Sequence, residues 1–141
     1  MIPEFPQFKK LELDDKKDIE KFSSKFPPYS DFNFGSMWAW NTKGETHISL
    51  LNNNIVVRFA DYVTHVPFYS FLGEERENET AKTLFEFLKK THSEPILKLI
   101  SEEIGHKLNK SLFNMSLDRD SCDYIYSVSH MSHMNNWTRH S

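Results

Sequence analysis

The apolar positions of this chain switch between two rhythms, and the switches mark out its elements. Residues 8–13 alternate, with Leu11 and Leu13 on one side, and predict a short strand. Asp14 follows as N-cap, and Asp15 and Asp18 put negative charge in a first turn, where the helix dipole favours it. Ile19, Phe22 and Phe26 then recur at helical spacing until Pro27-Pro28 stops the helix, because proline lacks an N–H and clashes with the preceding turn. The next stretch, PPYSDFNFGSMWAW, restarts a helix with Ser30 or Asp31 as its cap, runs it over residues 30–41 and closes it at Gly44. Phe32, Phe34, Trp38 and Trp40 make that helix apolar on more than one face, so more than one surface must cover it.

Residues 46–51 alternate, Asn52-Asn53-Asn54 tolerates the left-handed backbone of a turn, and residues 55–60 set Ile55, Val57 and Phe59 on one face. Together they predict a hairpin. A third strand over residues 64–71 carries Pro67, whose missing donor requires an edge position or a bulge. Ala81, Leu84, Phe85 and Leu88 stripe a helix over residues 78–91. Beyond Pro95 come a buried strand at 96–100 and a short helix capped by Ser101, with Ile104 and Leu108 inward. Strands at 112–117 and 123–128 then flank a turn at Asp118-Arg119-Asp120-Ser121. This order, β-α-α-β-β-β-α-β-α-β-β, predicts an α+β domain with a mixed, mostly antiparallel sheet flanked by helices.

Composition adds bounds. A chain of 141 residues is one domain and buries roughly 68% of its unfolded surface. Twelve phenylalanines supply much of the core that this requires. The net charge of −3, with acids and bases interspersed, leaves no footprint for nucleic acid and no basic patch for an anionic membrane. One cysteine excludes an intramolecular disulfide and suits a reducing compartment, and no run reaches the ~20 apolar residues of a membrane span. The expected location is cytoplasmic. Residues 1–128 read as the ordered module and 129–141 as a disordered polar tail.

The chemistry-bearing residues form no strong constellation. His130 and His133 have a spacing that zinc can use on a helix, with His140 beyond them. No cysteine or carboxylate follows Asp123, so a metal site is not expected. His47, His65, His92 and His106 are scattered. Cys122 lies among Asp118, Asp120 and Asp123, whose charges disfavour a thiolate nucleophile. Tyr124 and Tyr126 alternate as packing residues do on a strand.

On PPYSDFNFGSMWAW and on DRDSCDYIYSV, at residues 118–128, the chain resembles the phosphatidylglycerol lysyltransferase C-terminal-like family, built from two tandem GNAT-type (acyltransferase-like) modules. The resemblance runs over residues 8–128 and implies a single GNAT-like module, the first of the two. The second module, which carries the transfer machinery, opens in that family on a Lys/Arg-rich helix. Here Val128 is followed by SHMSHMNNWTRHS, so the chain reads as a truncated or divergent product, its tail open to being an alternative-frame ending.

The resemblance also implies where acyl-CoA would bind: a loop after the fourth strand, patterned Arg or Gln, two residues, Gly, one residue, Gly or Ala. The matching residues 71–78, Phe-Leu-Gly-Glu-Glu-Arg-Glu-Asn, keep only Gly73 of that pattern. Arg76 is the lone cation among Glu74, Glu75, Glu77 and Glu79. Each carboxylate at ~8 Å in water repels a phosphate charge by about 0.5 kcal/mol. The expectation is therefore a module with no catalytic residues and no acyl-CoA, acting as a structural or partner-binding half. Phe32, Phe34, Trp38 and Trp40 would dock a second GNAT-like module in trans, or a second copy. The alternative is a small acyl- or aminoacyl-transferase using Tyr124 or Tyr126 as acid.

Overall fold

Four strands in the order β1-β2-β3-β4, each antiparallel to its neighbour, organise the computed structural model, which describes residues 1–121. They are β1 (Lys9–Lys10), β2 (His47–Leu51), β3 (Asn54–Ala60) and β4 (Pro67–Leu72). Two isolated parallel bridges, Glu4 with Leu50 and Tyr69 with Leu97, extend the pairing at the margins. The helices are α1 (Lys16–Ser23), α2 (Phe34–Trp40), α3 (Glu77–Lys90) and α4 (Glu102–Lys107). The architecture is α+β.

The β2–β3 hairpin turns on Asn52 and Asn53, whose φ values of 53° and 62° are those of a two-residue type I′ loop. Asn54 leaves the turn expected for it and opens β3, opposite Leu51. Residues paired directly across the sheet share a face. One face therefore carries Ile48, Ile55, Val57, Phe59 and Phe68, and the other Asn54, Val56, Tyr69 and Phe71. Phe32, just before α2, packs edge-on to Phe59 with ring centroids 6.0 Å apart, and α1 touches both β3 and α2. On the opposite face Phe87 of α3 meets Tyr69 at 6.0 Å and Phe5 at 5.0 Å. Helices on both faces leave the β3 residues Ile55, Val56 and Val57 buried whichever way they point.

Several expected elements change extent. The strand at 8–13 shrinks to β1 because the Glu12 amide donates to Asp15 Oδ2 at 2.8 Å and turns the chain into a 3₁₀ helix, Leu13–Asp15. Leu11 is buried and Leu13 exposed, instead of sharing a side. Asp14 caps nothing, and α1 ends at Ser23, short of Pro27. The helix at 30–41 splits into a 3₁₀ helix, Ser30–Phe32, and α2. Asn33 sits extended between them and caps α2 by accepting from the Ser36 amide at 3.3 Å, so neither Ser30 nor Asp31 is the cap. Pro67 is the first residue of the edge strand β4, where a missing donor costs no central ladder bond.

Two expected strands are absent among the described residues. Residues 96–100 join the β4 ladder as an isolated bridge, Tyr69 with Leu97, and not as a strand. Leu99 takes a left-handed φ of 58°, with its carbonyl bonded to the Ser70 hydroxyl, and leaves the extended path. Residues 112–117 alternate without a described strand beside them, and Phe113 instead stacks on Phe85 at 5.3 Å. Helix α4 forms as expected, Ser101 Oγ accepting from the Ile104 amide, with Ile104 and Leu108 buried. The strand expected at 123–128 and the tail at 129–141, with Cys122, Tyr124, Tyr126, His130, His133 and His140, lie outside the described residues.

Candidate functional site

The loop between β4 and α3 is already filled from within. Asn54, with no exposed surface, reaches under it: Oδ1 accepts from the Glu75 amide at 3.1 Å, and Nδ2 donates to the Glu75 carbonyl at 2.7 Å and to Thr80 Oγ1 at 3.0 Å. Asn52 Nδ2 donates to the same Thr80 oxygen at 3.0 Å. Gly73 makes room for this knot. A Cβ there would stand 1.9 Å from Asn54 Oδ1, and its φ of 153° disfavours any side chain. So Gly73 serves the Asn54 side chain, and the Glu75 amide is no longer bare.

The cation of the loop is also engaged. Arg76 pairs with Glu79 and bonds Asn52 Oδ1 at 3.4 Å. Glu74 pairs with Lys107 at 3.4 Å, while Glu77 and Glu79 occupy the first turn of α3, where they complement the helix dipole themselves. The loop is closed as a hydrogen-bonded unit with negative charge over its mouth.

The aromatic segment divides. Phe32 and Phe34, at 3% and 5% exposure, are core residues, because the break at Asn33 turns both inward. They offer no surface for docking, which corrects half of the expected set. Trp38 and Trp40 are 43% and 66% exposed. Trp38 stacks on Phe34 at 6.1 Å, and Trp40 leans on Tyr62 with centroids 5.1 Å apart and planes 42° apart. Trp40→Ala is accordingly expected to cost less than about 1 kcal/mol in urea unfolding. A loss typical of a core aromatic would show that Trp40 is packed.

Trp40 and Tyr62 border a cleft of about 400 Å³ between α2 and the β3–β4 turn. Met37, Phe59, Phe68 and Leu99 give it an apolar lining, and Asp31, Asp61 and Asp120 add carboxylates. Asp61 Oδ1 accepts from the Val63 and Thr64 amides, both at 2.8 Å. Those two bonds, with a smaller contribution from the Lys98 charge, hold its carboxyl below the usual range, so it stays ionised. Beside the cleft, His65 sits at φ 60° with Nδ1 3.2 Å from Glu45 and Nε2 3.2 Å from Lys43. Among the described residues no group of three or more His, Cys, Asp or Glu side chains is placed to hold a metal ion, and no helix is long and apolar enough to cross a membrane.

Sequence reasoning missed Asn54, Asp61 and Tyr62. Asn54 was hidden in a run of three asparagines read as one turn. Asp61-Tyr62 fell between two strands, and its only local sign was an aspartate able to form a side-chain-closed turn.

Sheet, flanking helices and closed loop define an α+β domain. No family model and no curated protein matches the chain. A solved structure does: a conserved protein of unknown function from Bacteroides thetaiotaomicron VPI-5482, 22% identical, with a TM-score of 0.54 over 66% of this chain. The chain spans 30% of that protein's length, and at this identity the likeness shows the fold alone.

Proposed function

We propose that the chain is a GNAT-like module of the phosphatidylglycerol lysyltransferase C-terminal-like type, serving as a partner-binding half without acyl-transfer chemistry of its own. The observation that carries this reading is the Asn54 side chain lodged under the β4–α3 loop. In an acetyltransferase the equivalent loop offers bare amides at a helix N-terminus to the cofactor pyrophosphate. Here the Glu75 amide belongs to Asn54, Gly73 is spent on making room for it, and Arg76 is paired with Glu79. Two further facts support the reading: the fold recurs as a minor part of a longer chain, and Trp38 and Trp40 stand exposed on a structured helix.

Calorimetric titration with acetyl-CoA tests it. The expected result is no saturable heat. A saturable isotherm with one site per chain would overturn the proposal and favour a small acyltransferase.

A further inference from the structure

We infer that the cleft between α2 and the β3–β4 turn is a docking groove for a basic segment of a partner protein, whose lysine or arginine head group sits in the Trp40–Tyr62 corner. This rests on the partner-binding reading above and adds the chemistry of the partner.

Three features of the groove converge. First, Trp40 and Tyr62 are two-thirds exposed and set at 5.1 Å and 42°, an aromatic pair whose outward ring faces are open to a cation. Second, three carboxylates line the groove, and the Lys98 ammonium reaches its rim. Asp31 already has an interaction of its own, and Asp61 and Asp120 supply the charge that faces a cation. Asp61 keeps its charge while its Oδ1 closes the turn that presents Tyr62. Third, Lys98 Nζ already lies 5.7 Å from the Phe68 centroid, so one ring of this groove carries a cation within the chain itself. An apolar floor with rings and carboxylates at its edge fits a peptide that brings both aliphatic stems and charged heads, as lysine and arginine do. An acidic peptide would be repelled by Asp61 and Asp120.

The test uses the full chain, ¹⁵N-labelled, and a capped peptide with four lysines spaced by glycine and serine. Its glutamate counterpart is the control. The lysine peptide is expected to shift the Trp40 indole and the Asp61 and Tyr62 amides saturably, and more weakly as salt is raised. Trp40→Ala should lower the affinity about fivefold. Asp61→Asn, which keeps the oxygen that closes the turn but loses the charge that the two amides favour, should lower it about threefold with only a small drop in the unfolding midpoint. Asp120→Asn should do the same.

Four results would overturn the inference. The glutamate peptide could move the same resonances equally well, or the lysine peptide could leave them still. Shifts could scatter over the surface with no dependence on Trp40, as for non-specific charge. Or sedimentation could show a Trp40-dependent dimer without peptide, giving the groove to a second copy. Each of these, with acetyl-CoA still silent in calorimetry, leaves the partner-binding reading standing.

Discussion

Replacing Asn54 with alanine is expected to destabilise the protein by about 3 kcal/mol and to lower its Tm by about 12 °C. The side chain makes three hydrogen bonds at 2.7–3.1 Å with no water in reach. Each contributes on the order of 1 kcal/mol net, and the Glu75 amide and carbonyl left behind lose their partners in a buried place. Asn54→Asp is expected to do no better. It keeps one acceptor but turns the donor into a second oxygen facing the Glu75 carbonyl, and it buries a charge. Neither variant should gain affinity for acetyl-CoA, because Glu74, Glu75, Glu77 and Glu79 still ring the freed amide. Urea unfolding and calorimetry report both halves of this expectation. An Asn54→Ala protein as stable as the parent would mean that the knot beneath the loop contributes nothing.

Gly73→Ala is expected to cost at least as much, about 4 kcal/mol. The new Cβ would lie 1.9 Å from Asn54 Oδ1, 2.5 Å from its Cγ and 2.7 Å from its Cβ. Asn54 is enclosed and cannot swing aside, so the loop must move. The φ of 153° adds strain that remains even with Asn54 removed. A double variant, Gly73→Ala with Asn54→Gly, removes the overlap and should therefore lose clearly less than the sum of its two single losses. Strict additivity in unfolding measurements would show that the glycine is not reserved for this asparagine.

Strong periodicity was a reliable guide where a capping or turn residue also bounded it. Helix α3, the β2–β3 hairpin and the Ser101-capped helix were all readable, since each combines a stripe or alternation with its own start or stop residue. Failures came where a side chain overruled the pattern. Asp15 bends residues 12–15 away from β1, and Asn33 divides the aromatic helix. Ser70 holds Leu99 in a left-handed conformation. None of these long-range or capping bonds has a signature in spacing alone. The acidic character of the β4–α3 loop was legible as a run of glutamates. Its occupation by Asn54 was not, because that contact joins residues 21 apart in sequence. Phe32 and Phe34 looked like the two tryptophans in composition, and only the break at Asn33 separates core from surface.

One of the two margins of the sheet, β1, is two residues long, and both are lysines. An extended chain approaching that flank finds no long row of amides and carbonyls to copy, and Lys10 there is exposed. Fibril growth needs a template of roughly six residues with little charge. Crowded solutions of this protein should accordingly resist stacking through that side, even with an aromatic corner open elsewhere on the molecule.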